Sequence, residues 1–305
     1  IGPCINAAGR IEVADDCVKL FLCKDDKEID SLCDKLIAQN NARKELTEKC
    51  VREGIEYIEK NFDDKNLPDV LVLYLPNCHA AICGLVAGRI REKYYHPTLV
   101  FTDSNDLLTG SGRSIDEYNM IENIQKCAPI LERFGGHKAA CGLSLKKENL
   151  KELSERLNSY SKLSKDDLTE KLYIDADMPF GYVSFKVIED LEKLEPFGVK
   201  NQTPVFAVKN LLLVKARRVG ENHVFLSVRD QGGRIRDLKL WRRAEEFEEF
   251  MAPVLGGDLN SILYDPTGNS LAAKNIFLTV SYYPAVNTYK NNTGIDFTLK
   301  DFKFS

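Results

Sequence analysis

Four glycine-bearing segments of the chain combine small residues with a cationic or titratable side chain, the makeup of sites where backbone comes close to a phosphate. In the first, Gly2-Pro3-Cys4-Ile5-Asn6-Ala7-Ala8-Gly9-Arg10, residues small enough for close approach flank Asn6 and Arg10. Such a segment suits contact with a phosphate and equally suits a tight structural turn. In the second, Asn77-Cys78-His79 precedes a helical pattern that carries Gly84 and Arg89. His79 thus falls where a strand ends and a helix begins, the usual ligand edge of an α/β sheet, and can line a site or cap the helix. The third, Gly110-Ser111-Gly112-Arg113-Ser114, offers converging amides, two hydroxyl donors and a guanidinium able to grip phosphate oxygens in bidentate fashion. A flexible loop is the plainer reading, and no Gly-Lys-Ser/Thr makes it a Walker loop. The fourth, Phe134-Gly135-Gly136-His137, reads as a turn in which His137 positions a phosphate or poises a water.

A fifth feature is electrostatic. Between Lys200 and Arg243 there are 11 Lys/Arg against 3 Asp/Glu, an excess of +8 that the overall net charge of −4 conceals. Phe206, Phe225, Trp241, Tyr282 and Tyr283 are interleaved with or follow this charge. Cations beside exposed rings hold single strands, the phosphates meeting charge and the bases stacking. Arg217, Arg218, Arg236 and Trp241 are the candidates for that face, about half of the aromatics being needed to fill the interior. A merely solvated basic face is the competing reading.

These residues need scaffolding, and 305 residues supply enough for two domains at about 150 residues each. With 44% hydrophobic and 29% charged residues, the chain is not collagen-like, disordered or disulfide-stapled. No run approaches the ~18 apolar residues of a membrane span. Nine cysteines, all between Cys4 and Cys141, form no Cys-x-x-Cys pair or zinc-spaced cluster, and read as free thiols in a reducing cytoplasm. No secretory signal is read. The chain opens on Ile1 within an ordered-looking segment and is read as a piece of a longer protein.

Residues 1–24 read as a Gly/Pro turn and a short apolar stretch. A helical period then runs from Asp25 to Asn61, about 55 Å if unbroken, or two helices if broken near Asn40-Asn41. From 67 to 165 strand and helix signals alternate, as in an α/β sheet: strands at Val70–Leu75, Thr98–Phe101 and Gly142–Leu145, helices at Ala80–Lys93, Asn119–Phe134 and Glu148–Tyr160. Polar Ser161–Asp167 reads as a linker. From 172 the pattern is a helix over Pro179–Lys193, then strands at Val205–Val219, His223–Arg229 and Ile235–Trp241. A short acidic helix at Ala244–Phe250 and strands at Asn275–Tyr283 and Gly294–Phe304 complete it. That is the element order of a five-stranded OB barrel, with SH3-like barrels as the rival.

Together these segments resemble the RecJ family of single-strand-specific 5′→3′ DNA exonucleases in the DHH phosphoesterase superfamily. Gly2–Arg10 is similar to the closing motif of the DHH domain, with Cys4 in place of an arginine. His79–Arg89 is similar to a DHH-associated motif, with Ala81 for its first glycine and Gly88 for its serine. Gly110–Ser114 and Gly135–His137 match that domain's motifs, and Cys141 takes the place of an alanine. Leu194-Glu195-Pro196-Phe197-Gly198, with Asn201 and Pro204 beyond it, resembles the lead-in to the family's OB domain.

The resemblance implies the tail of a DHH domain at 1–24, an interdomain helix at 25–62, a DHH-associated α/β domain at 67–165 and an OB-fold domain at 172–305. It implies a 5′-phosphate pocket of Ser111, Arg113 and Gly136, with Asn6, Gly112, Ser114 and Gly135 also binding substrate. Arg10 would contact a phosphate near the scissile bond, and His79 and His137 would line the catalytic cleft. Two Mn²⁺ or Mg²⁺ ions are implied, with ligands upstream of Ile1 and none in this chain, so the chain alone is expected to hydrolyse nothing. Further implications are a cytoplasmic monomer, no membrane, a role in DNA repair and recombination, 5′-phosphorylated single-stranded DNA as substrate, and a helicase and single-strand-binding protein as partners. The alternatives are a DHH-family phosphodiesterase for oligoribonucleotides or cyclic dinucleotides, and a non-catalytic nucleic-acid-binding module.

Overall fold

The structure, a computed structural model, describes residues 1–11, 14–63, 66–289 and 292–305, without the side chains of Arg10, Ile11, Tyr289 and Asn292. The chain divides into two compact units, Ile1–Glu170 and Lys171–Ser305.

The first unit begins with helices, not with the turn expected from Gly2-Pro3: α1 (Gly2–Ile11) and α2 (Asp15–Leu22). Proline is tolerated in a first helical turn, where its missing N–H would have no partner anyway. Ala8 and Cys17 bury against Leu36 of the next helix, α3 (Asp26–Asn61), and Asp16 takes an ion pair from Lys35 at 2.6 Å. The Asp25 side chain caps α3 by accepting from the Glu28 amide at 3.0 Å. Its 36 residues continue through Asn40-Asn41. Asn40 is buried and its Oδ1 accepts from Arg43 Nη2 at 3.1 Å, so it does not compete for the helix backbone.

Next come β1 (Leu71–Tyr74), a 3₁₀ turn at Ala80–Ile82, α4 (Cys83–Tyr94), β2 (Thr98–Ser104), β3 (Leu107–Arg113), α5 (Met120–Lys126), β4 (Arg133–His137), β5 (Ala140–Leu145) and α6 (Leu150–Tyr160). The sheet order is β1-β2-β3-β5-β4, with β1–β2 parallel and the remaining pairs antiparallel. Leu71, Leu73 and Val100 face α3 and α4; Leu99, Phe101 and Leu143 face α5 and α6.

Three expectations change here. Gly110–Arg113 is strand, not a nest-forming loop. A Cβ on Gly110 would lie 2.5 Å from the Phe101 ring, and one on Gly112 would lie 2.7 Å from Cys141 Sγ. These glycines make room for the core, and because they fill the inward places of β3 they erase its alternating hydrophobic signal. Gly135–His137 is likewise strand, not a turn. The helix expected to run to Phe134 ends at Lys126, before Pro129, and Arg133 already pairs with β5.

The second unit contains β6 (Ala176–Asp177), α7 (Phe185–Glu192), β7 (Phe206–Val219), β8 (His223–Arg229), β9 (Ile235–Leu240), α8 (Ala244–Leu255), α9 (Leu259–Leu263), α10 (Asn269–Ala272), β10 (Phe277–Tyr289) and β11 (Asn292–Phe304). β7-β8-β9-β11-β10 closes on itself through β10–β7, and β6 adds beside β7. This five-stranded barrel is the expected fold. Leu226, Leu238, Val280 and Tyr282 fill it, and Phe247 and Met251 of α8 join that core. Phe206 and Tyr282 are therefore interior residues; the Tyr282 hydroxyl donates to the Met178 carbonyl at 2.6 Å. In the Leu194–Gly198 lead-in the Glu195-Pro196 peptide is cis, and Asn201 Nδ2 donates to the carbonyls of Leu194 (2.8 Å) and Pro196 (3.0 Å). Among the described residues no helix is long and apolar enough to cross a membrane.

Candidate nucleic-acid interface

Strand pairing sets the two glycine motifs of the first unit side by side. Arg113 pairs with Ala140 and Ala140 with His137; Gly112 pairs with Cys141 and Cys141 with Gly136; Ser111 pairs with Gly142 and Gly142 with Gly135. Paired residues share a face and successive rows alternate, so Arg113, His137, Ser111 and Gly135 belong to one face, with Arg113 and His137 two strand spacings (about 10 Å) apart. α3 and α4 cover only part of that face: Gly135, His137 and Gly142 are exposed. The middle row of Gly112, Cys141 and Gly136 belongs to the opposite face. There burial pushes the Cys141 thiol up to about 11, so it stays a protonated packing group.

The Arg113 side chain lies along α4. A Cβ on Gly88 would sit 3.9 Å from its Cγ, and one on Gly84 would sit 2.7 Å from Nη2. Glycines one turn apart thus form a furrow that carries the guanidinium to the first turn of α4, where Nη1 also donates to the Gly112 carbonyl at 2.8 Å. A guanidinium against the positive end of a helix is unfavourable on its own and favourable with an anion between them.

The two histidines make the same local bond. Nδ1 of His79 accepts from the Ala81 amide at 3.3 Å, and Nδ1 of His137 accepts from the Ala139 amide at 3.3 Å. With Nδ1 accepting, each neutral ring carries its proton on Nε2 and presents a donor, which suits holding a phosphate oxygen better than taking a proton from water. His79 ends the β1 side of the sheet, five residues before Gly84, and α1, which carries exposed Asn6, approaches the adjoining Ala80–Ile82 turn. The side chain of Arg10 lies outside the described residues. Ser114 is not brought to this face: it is buried and its hydroxyl donates to the Tyr118 carbonyl at 2.7 Å, so its expected role as a ligand donor is corrected to a structural one. Gly112 is buried too, and only its carbonyl engages Arg113.

On the barrel, Arg217, Phe225 and Lys239 form one outward row across β7, β8 and β9. Arg217 and Lys239 lie over the Phe225 ring at 5.5 and 5.6 Å. Trp241 packs edge-on to Phe225 (5.5 Å) and His223 (4.9 Å) and remains 44% exposed, leaving ring surface for stacking. Two expected members fall elsewhere. Arg218 is held by Glu248 of α8 at 2.7 Å and by the Glu221 carbonyl. Arg236 pairs with inward Val228, which puts it on the core side of β9. His223 and Lys239 were not singled out from sequence; their signal was the alternation His223, Phe225, Ser227, readable only once the strand's outward parity is known.

Residues 68–163 match the DHHA1 domain and residues 174–301 match the RecJ OB domain. The single-stranded-DNA-specific exonuclease RecJ of Bacillus subtilis (strain 168) is 30% identical over 244 residues, covering 77% of this chain and 30% of that protein. That of Escherichia coli (strain K12) is 31% identical over 241 residues, covering 76% and 42%. The chain belongs to the RecJ family. It spans under half the length of these relatives. The crystal structure of RecJ from Thermus thermophilus in complex with Mg²⁺ superposes with a TM-score of 0.75 at 22% identity, covering 99% of this chain and 42% of that one; the Mn²⁺ complex gives the same score. RecJ architecture thus extends over both units, the Arg113 furrow lying in the DHHA1 domain and the Trp241 cluster in the RecJ OB domain.

Proposed function

We propose that this chain is the strand-gripping portion of a divalent-metal-dependent, single-strand-specific 5′→3′ DNA exonuclease of repair and recombination. The DHHA1 domain captures the 5′ phosphate and the OB domain holds the strand. The observation that carries the reading is the Arg113 guanidinium, laid in the Gly84/Gly88 furrow at the first turn of α4, on the same sheet face as His137. Arg113 grips the terminal phosphate, Ser111 and His137 supply further donors on that face, and Gly135 and Gly142 leave the face open. The relatives carry the name single-stranded-DNA-specific exonuclease, and the Thermus thermophilus structures are Mg²⁺ and Mn²⁺ complexes. Among the described residues no three His, Cys, Asp or Glu side chains converge, and no hydrolytic step is assigned to this chain. The ions are proposed to be held by the part of the relatives that this chain does not match.

The reading is tested with the longer protein on a 5′-phosphorylated DNA 20-mer, its 5′-hydroxyl counterpart and a dinucleotide. Preferential degradation of the phosphorylated 20-mer is expected; preference for the dinucleotide would replace this reading by a small-substrate phosphodiesterase. For the barrel, Trp241→Ala is expected to weaken single-strand binding by about 1–3 kcal/mol, the usual worth of one stacked base, with little change in salt slope. Arg217→Ala is expected to make the slope shallower by about 0.7. Unchanged binding in both variants would put the strand on another face.

A further inference from the structure

The Arg113 furrow opens into a cavity of about 670 Å³ between α3 and α4. Six cations line it: Arg43, Lys44 and Arg52 of α3, Arg89 and Arg91 of α4, and Arg113. Only two acids join them. Glu92 is shared by Arg89 (3.2 Å) and Arg91 (3.7 Å), and Glu48 has no ion pair among the described residues. The α3 members span about half of the helix circumference at about 100° per residue, and at 1.5 Å per residue Arg43 and Arg52 are about 14 Å apart along it. Lys44 and Arg52 are exposed and unpaired among the described residues, while Nε of Arg43 and Nε of Arg91 are enclosed without a hydrogen-bond partner. An excess of four positive charges around one cavity is costly unless polyanion oxygens offset it.

We infer that α3, beyond joining parts of the protein, forms with α4 a second phosphate-binding bank that holds the internucleotide phosphates next to the terminal one. This rests on the proposed capture of a 5′ phosphate at Arg113. The ligand class is a nucleotide chain, not a single anion. The cations are spread over about 14 Å of helix, more than one phosphate can touch.

The test uses 5′-phosphorylated and 5′-hydroxyl oligothymidylates of one to eight nucleotides, with affinity measured by calorimetry between 50 and 200 mM salt. One variant combines Arg43→Gln, Lys44→Ala and Arg52→Ala. A second changes only exposed Lys44 and Arg52, in case the first folds poorly. A third, Lys27→Ala with Lys49→Ala and Lys60→Ala, removes three charges of α3 that do not line the cavity. Loss of three phosphate contacts should make the salt slope shallower by about 2, so that wild type loses roughly 15–20-fold more affinity than the first variant over that salt range. The deficit should grow with length, the 5′-phosphate preference should survive, and the third variant should match wild type. An unchanged slope in the first two variants overturns the inference, as does an equal loss in the third. A full deficit already at the mononucleotide makes the cavity a nucleotide pocket and overturns it too. If wild type shows no 5′-phosphate preference, the reading of Arg113 fails, and the slopes on 5′-hydroxyl strands still decide on α3.

Discussion

Replacing Arg113 by alanine should abolish the proposed preference for a 5′-phosphorylated strand over the same strand ending in a hydroxyl. A hydrogen bond to a charged group is worth about 1.5–3 kcal/mol, so the phosphorylated strand should lose roughly ten- to hundredfold in affinity. The hydroxyl-ended strand should lose much less. Arg113→Lys should not restore the preference, because an ammonium lacks the two-pronged geometry. Gly84→Ala gives the same answer with the guanidinium retained. Its methyl would sit 2.7 Å from Nη2, and the far end of a flexible side chain yields to it at little cost in stability. Gly84→Ala should therefore leave the melting temperature nearly unchanged and still reduce the preference. A preference intact in both variants would show that the phosphate binds elsewhere.

Replacing Gly136 by alanine should have the largest effect on stability. Its φ of +152° is one that L side chains rarely adopt, and a Cβ there would lie 2.3 Å from the Ala140 carbonyl oxygen and 2.7 Å from Cys141 Cα. These are backbone atoms of the paired strand and cannot turn aside. Strain of this kind costs about 1–3 kcal/mol before the lost β4–β5 pairing is counted, and should lower the melting temperature of the first unit by several degrees. Gly135→Ala is the control: nothing lies within 4 Å of its Cβ position, and its stability should stay near that of wild type. Equal melting temperatures for the two variants would contradict the pairing of β4 with β5.

Much of the scaffold was readable without coordinates because its signals are local. The N-cap at Asp25 and the helical period after it define α3, and turn residues at 220–222 and 231–233 separate the long strands of the barrel. Where those signals are replaced, the structure departs from the sequence pattern. Gly110 and Gly112 occupy the inward places of β3 to make room for Phe101 and Cys141, so a strand looked like a loop. Pro3 in a first helical turn made α1 look like a bend.

The sequence by itself determined which residue types were available: arginines in three of the glycine-bearing segments, two histidines each beside small residues, and a basic stretch carrying one tryptophan. Only the tertiary structure decided their company. It aligned Arg113 with His137 across three strands, laid the guanidinium along Gly84 and Gly88, turned Ser114 into the core, bound Arg218 to Glu248 and gathered the cations of α3 and α4 around one cavity. The physical reason is range. Caps, turns and periodicity act between residues a few positions apart, whereas strand register and helix packing join residues tens of positions apart, and local sequence carries no record of which partner each will meet.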